Sequence, residues 1–241
     1  MKTYDSYEKI TSAAQGAVIA IGSFDGMHRG HQALFERARA LSAQKDVALG
    51  LVTFEPHPVK VLAPKLAPPT LMAREDKIEA MIAMGFDFAL IQNFTSEFAE
   101  FSPVKFVQEV LWKTMRVSGV VVGYDFSYGK KAAGSAEDLK AQLALKGVDV
   151  DIVSPQRLDG LVISSTKIRQ FVLDGKMIAA QTLLGRPFRL SGPVVPGDQR
   201  GRQIGTPTAN IDRAQEITPA RGVYAVWALV NGEKHPCVVN V

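Results

Sequence analysis

The sequence predicts an α/β protein, a doubly wound and Rossmann-like parallel sheet followed by a smaller β-rich domain. Three observations carry this. Over residues 17–155, short apolar runs alternate with amphipathic stretches of helical period. Two loops rich in turn residues, 55–70 and 124–134, follow apolar runs where the carboxyl ends of strands should lie. Beyond Gly185 the texture changes, with frequent Gly and Pro between short apolar runs.

The elements follow in order. Strands are expected at 18–21, 47–54, 86–91, 119–123 and 148–153, short apolar runs whose alternation with helices implies a parallel sheet covered on both sides. Helices are expected between them at 31–44, 74–84, 103–115 and 135–146. In the last, Leu139, Leu143 and Ala144 recur at helical spacing. The segment EPHPVKVLAPKLAPPT (55–70) is too proline-rich for a helix or a central strand. Residues 165–184 are helical again with a break at Asp174-Gly175, and 222–240 reads as a hairpin turning at Asn231-Gly232. The domain border is set at 185/186, giving domains 1–185 and 186–241.

Composition narrows the function classes. A hydrophobic fraction of 46% with 22% charged residues can bury a core. The single cysteine, Cys237, leaves no internal disulfide and fits a reducing cytoplasm. The start, MKTYDSYEKI, lacks the apolar stretch of a signal peptide, and no run is long enough to span a bilayer. A net charge of +4 with scattered basic residues asks for no nucleic-acid partner; nucleotides explain it equally. No membrane partner is expected, and oligomeric state is not readable.

Chemistry concentrates in GSFDGMHRGH, residues 22–31, between the first strand and the first helix. Gly22, Gly26 and Gly30 allow close backbone approach, and the new helix presents its N-terminus to an anion. His28 and His31 can flank one cavity and stabilise charge on a transferring phosphate. The same spacing also serves a helix cap or a metal pair, although no third His and no Cys lie close by in sequence. A second element, ISSTKIR (163–169), places hydroxyls before a helix and Arg169 one turn on. By itself it reads equally as a capped helix.

Together, His28-x-Gly30-His31 and Ile163-Ser164-Ser165-Thr166-x-Ile168-Arg169 resemble the two signature motifs of the prokaryotic bifunctional riboflavin kinase/FAD synthetase family. GSFDGMHRGHQAL, TFEPHP, VVGYDFSYG and LLGRPFRLSG resemble further family segments in the family's order. One departure is Ser23, where the family more often has Asn.

The resemblance implies a nucleotidyltransferase domain that transfers AMP from ATP to FMN, giving FAD and pyrophosphate with Mg2+. It implies His28, His31 and Arg169 as catalytic residues, and Gly22, Phe24, Gly30, Ser164, Ser165 and Thr166 as ATP-binding. Phe54, Pro56, His57 and Pro58 would form one flavin wall, and Asp125, Phe126 and Tyr128 another. Phe54 also reads as core packing at a strand end, and His57 as a structural loop residue.

The second domain resembles the start of a riboflavin kinase β-barrel. Its Pro207-Thr208-Ala209-Asn210 element resembles that family's Mg-nucleotide signature, with Thr208 and Asn210 as metal contacts. Some 55 residues are few for closing a barrel. The barrel is therefore expected to be partial, truncated before the catalytic part that would act on riboflavin.

Overall fold

The computed structural model describes residues 1–197, 208–213 and 216–241. The chain divides into two compact units, Met1–Pro68 with Lys77–Ile163, and Pro69–Asp76 with Ser164–Val241.

The first unit is built on a six-stranded parallel sheet. Its strands are β1 (Lys2–Tyr4), β2 (Val18–Ile21), β3 (Leu49–Glu55), β4 (Phe88–Asn93), β5 (Gly119–Gly123) and β6 (Asp149–Val153). The spatial order is β1-β4-β3-β2-β5-β6, with every neighbour parallel. β2 is flanked by β3 on one side and β5 on the other, so successive strands wind outward in opposite directions from it. This is the topological switch point of a doubly wound sheet, where ligands bind beyond the carboxyl ends. All four residues of β2 are buried, as expected for a strand covered on both faces. Within β3, Gly50 leaves room for Phe88 to cross; a Cβ there would stand 2.2 Å from the ring.

The helices are α1 (Arg29–Lys45), α2 (Arg74–Ala83), a wide helix Phe106–Thr114, and α3 (Ala136–Ala144). Helix α3 opens on a reciprocal capping box between Ser135 and Asp138. The α-helix expected over 103–115 is instead one α turn, Pro103–Lys105, running into π-type winding. Its buried residues Phe106, Val110, Leu111 and Met115 recur four to five apart. That spacing suits i→i−5 bonding, such as Met115 N–H to Val110 C=O at 2.9 Å.

One strand was not anticipated and one further expectation needs correction. Strand β1 is too short to show a period in sequence, yet it pairs with β4. The loop 55–70 does hold a helix, Pro58–Leu62. Pro58 sits at its first turn, where a missing N–H costs nothing, and His57 caps it by accepting the Val59 N–H.

The second unit carries helices α4 (Ser165–Leu173) and α5 (Met177–Leu184), broken at Asp174-Gly175 as the sequence predicts, with Gly175 at φ 71°. They are grouped with the strap 69–76, held by bonds such as Arg169 Nε to Pro69 O at 2.8 Å and Asp76 to Arg189 at 3.3 Å. Contacts therefore divide the chain at Ile163/Ser164, upstream of the 185/186 border read from composition. Short antiparallel pairing joins Val194–Val195 to Asn210–Ile211. The hairpin β7 (Val223–Val230) and β8 (Glu233–Asn240) turns at Asn231 (φ 51°) and Gly232 (φ 87°), the conformation an Asn-Gly turn favours. These strands are eight residues each, as a hairpin over 222–240 turning at Asn231-Gly232 requires.

Candidate active site

The loop leaving β2 is tightly packed from beneath. Gly22 N–H bonds to Val52 C=O at 3.1 Å. A Cβ on Gly22 would meet the Phe24 ring at 2.8 Å, so this glycine is required by packing. Phe24 (φ 47°) and Met27 (φ 40°) take left-handed backbone, and both are fully buried. Such conformations in non-glycine residues cost on the order of 1–3 kcal/mol each and persist only where the surroundings impose them. The Phe24 ring stands edge-on to His31 at 5.3 Å and to Phe35 at 4.9 Å. Phe24 is 1% exposed, so its side chain packs beneath the histidines and supports them.

His28 is the N-cap of α1. Its Nδ1 accepts the His31 backbone N–H at 3.3 Å. An imidazole that accepts at Nδ1 carries its proton on Nε2, so neutral His28 presents an N–H donor on its other edge. The His28 and His31 rings stack 3.6 Å apart at 16°. Burial first, then the neighbouring His28 ring and the Lys77 charge, hold the His31 pKa well below the usual histidine value, so this ring is neutral near pH 7. Its Nδ1 is buried without a hydrogen-bond partner. A Cβ on Gly30 would come within 3.1 Å of the His28 ring and 3.5 Å of the Ile163 carbonyl. The first residue of ISSTKIR therefore lies against the His-x-Gly-His turn.

Two groups not singled out by sequence reading complete the base of this loop. Thr53 Oγ1 and Lys77 Nζ both donate to the Ser23 carbonyl, each at 3.1 Å. Thr53 and Lys77 are buried, as is Asp25. Burial lowers the Lys77 pKa, while the opposite charges of Asp25 and Glu55 work to raise it. One signal was available in the sequence: Lys77 stands four residues before Met81, which puts a cation on the apolar face of the helix.

The two predicted flavin walls are joined by an aromatic cluster. Phe54 contacts Phe94 and Phe98, Phe98 contacts Phe106, Phe106 contacts Tyr128, and Tyr128 stacks with Phe126 at 5.7 Å. Phe98 and Phe106 were absent from the sequence-based site; the bunched aromatics of FTSEFAEFSPVKF (94–106) were their trace. Phe54, Pro56, His57, Pro58 and Phe126 are half-buried at the sheet's carboxyl edge, and Asp125 is exposed. The Glu55–Pro56 peptide is cis. Tyr128 lies deeper; burial, with Asp138 nearby, pushes its hydroxyl up to about 12, and it accepts from Gln142 Nε2 at 3.1 Å.

In the second unit, Ser164 caps α4 by accepting the Lys167 N–H at 3.2 Å. Ser165 is half-buried and Thr166 exposed. Arg169 uses Nε on the Pro69 carbonyl, one of the five N–H donors of its guanidinium. Thr208 and Asn210 are exposed, Asn210 in the short strand paired with Val195. Residues 198–207, including Pro207 of the expected Mg-nucleotide element, lie outside the described residues.

The sequence profile of the FAD synthetase family matches residues 10–167, about two thirds of the chain. The chain belongs to the FAD synthetase family. The riboflavin kinase profile matches residues 184–241. The second domain is thus present as a riboflavin kinase domain, and the expectation of a truncated half without its catalytic part has no support. Curated relatives carry both names. The bifunctional riboflavin kinase/FMN adenylyltransferase of Listeria monocytogenes is 43% identical over 220 residues, spanning 90% of this chain and 69% of that protein. Its namesake in Escherichia coli K12 is 37% identical over 245 residues, spanning 100% and 78%. A macrolide-efflux protein from Streptococcus pneumoniae, solved by crystallography, superposes with a TM-score of 0.87 at 30% identity, covering 99% of this chain and 77% of that one. Among the described residues of this FAD synthetase family member, no helix is long and apolar enough to cross a membrane.

Proposed function

We propose that this chain is an FMN adenylyltransferase, working in the cytoplasm, that joins the AMP part of Mg-ATP to FMN to form FAD and pyrophosphate. The observation that carries this is the stacked His28/His31 pair, held at the N-terminus of α1 beyond the switch-point strand. An FMN phosphate oxygen attacks the α-phosphorus in line, and the bond to the β-phosphate oxygen breaks with pyrophosphate leaving. No covalent enzyme intermediate is needed, so positioning and charge stabilisation do the catalysis. His28 offers its Nε2–H to a phosphate oxygen. The orphaned Nδ1 of neutral His31 suits a contact supplied only by a bound substrate. Gly22 is assigned to shaping the ATP loop, its N–H being held by Val52, and backbone N–H groups at Phe24 and Gly30 are assigned to ATP, with Ser165, Thr166 and Arg169 on the departing pyrophosphate. Ser164 is assigned chiefly the cap. The flavin ring is assigned to the face made by Phe54, Pro56, His57 and Pro58 with Phe126 and Asp125, backed by Tyr128 and Phe98.

Among the described residues, no three His, Cys, Asp or Glu side chains gather as a metal cluster. The nucleotide phosphates would be the ligands that hold Mg2+ in this unit, and the ion would supply neutralisation of their charge. In the second unit, Thr208 and Asn210 carry the hard oxygen donors this ion prefers, and we assign them to Mg-nucleotide during phosphorylation of riboflavin.

The test incubates the chain with Mg-ATP and FMN and follows FAD and pyrophosphate. Stoichiometric appearance of both is expected. Folded protein yielding neither, or binding FMN without turnover, would sink the proposal. The same assay with riboflavin reads the kinase domain.

A further inference from the structure

Lys77 is a buried cation that neither signature motif contains. A position needing only packing would carry an apolar side chain, as Met81 does one turn further along α2. Instead the ammonium is aimed at a single carbonyl, that of Ser23, which it shares with the buried Thr53 hydroxyl at equal distances of 3.1 Å. Ser23 precedes Phe24, whose left-handed backbone turns its ring edge-on to His31. A continuous chain of contacts thus runs from Lys77 through Ser23 and Phe24 to the second histidine.

We propose that Lys77 is a positioning residue for adenylyl transfer: with Thr53 it clamps the Ser23 carbonyl, holds Phe24 in its strained conformation and so sets the place of the His31 ring. This rests on the adenylyltransferase reading for its kinetic part alone. The same cation also bears on the charge of His31. The groups acting on His31 are His28 on its own helix and Lys77 on α2, and those acting on Lys77 are Asp25, Glu55 and Lys60. A fixed cation beside His31 disfavours a second positive charge, keeping the imidazole neutral.

The experiment compares wild type with Lys77→Met, Lys77→Arg and Thr53→Val. Two readouts are taken: steady-state FAD synthesis, and titration of the His31 ring followed by NMR without substrate. In K77M, kcat is expected to fall about tenfold or more, with KM for FMN within about twofold. His31 is expected to titrate at higher pH than in wild type. K77R keeps the charge and should retain the wild-type titration while recovering most of kcat. T53V removes one clamp but no charge, so kcat falls and the titration stays. Should K77M fail to fold, Lys77→Gln carries the same comparison. An unmoved His31 titration in the uncharged variant, or kcat within twofold of wild type, overturns the proposal. Wild type that makes no FAD overturns the adenylyltransferase reading instead, leaving the substrate-free titration to judge Lys77.

Discussion

His28 Nδ1 accepts the backbone N–H of His31 at 3.3 Å, so one imidazole both caps α1 and has its proton placed on the opposite edge. Structure and chemistry meet in this side chain and can be separated by substitution. His28→Ala should lose the cap, about 1 kcal/mol of stability, and lower kcat by more than tenfold. His28→Asn keeps a good capping oxygen but no imidazole. It should melt near the wild-type temperature with the same kinetic loss, read by thermal denaturation beside FAD formation. Equal kinetics in all three proteins would remove His28 from the reaction.

Gly22 and Phe24 are matched by size. Gly22→Ala places a methyl 2.8 Å from the Phe24 ring, and the expected cost is about 1–3 kcal/mol in denaturant unfolding. In a Phe24→Leu background the same substitution should cost measurably less. Simple additivity in that double-mutant cycle would mean the two do not press on each other.

The half-buried His31 makes folding sensitive to acid. Its folded pKa lies below the unfolded value near 6.5, so the unfolded chain binds the proton first. Stability is full above about pH 6.5 and is lost as pH falls from there through the folded pKa. His31→Gln should flatten that part of a stability-against-pH curve measured by urea unfolding.

Ser164 and Arg169 should differ in kind. Ser164→Ala removes the α4 cap and should cost about 1 kcal/mol with a small change in KM for ATP. Arg169→Lys keeps charge but loses the planar fork that also grips the Pro69 carbonyl. Its KM for ATP should rise about tenfold or more at unchanged KM for FMN. The reverse split would reassign the two residues.

Phe126→Ala is expected to raise KM for FMN about three- to tenfold, the worth of one aromatic contact, with KM for ATP unchanged. No effect on FMN would place the flavin elsewhere than against this cluster.

Much of the fold was legible because its signals are local. Strands 18–21 and 119–123 coincide with the observed β2 and β5, since apolar runs buried on both faces need no partner to be recognised. The break at Asp174-Gly175 and the Asn231-Gly232 turn were readable from backbone preference alone. The short β1, the π-type winding of 106–114 and the helix at Pro58–Leu62 were not, because each depends on neighbours distant in sequence or overrides a local rule.

The loop 22–31 divides in the same way. Its glycines, its two histidines and its place between strand and helix are properties of adjacent residues, and the sequence by itself determined them. Which nitrogen of His28 faces outward, why His31 stays neutral, and that Phe24 lies beneath the histidines were decided only by the tertiary structure. The physical reason is that burial and electrostatics act through space. Lys77 stands 54 residues from the Ser23 carbonyl it holds, and no reading of adjacent residues could bring them to 3.1 Å.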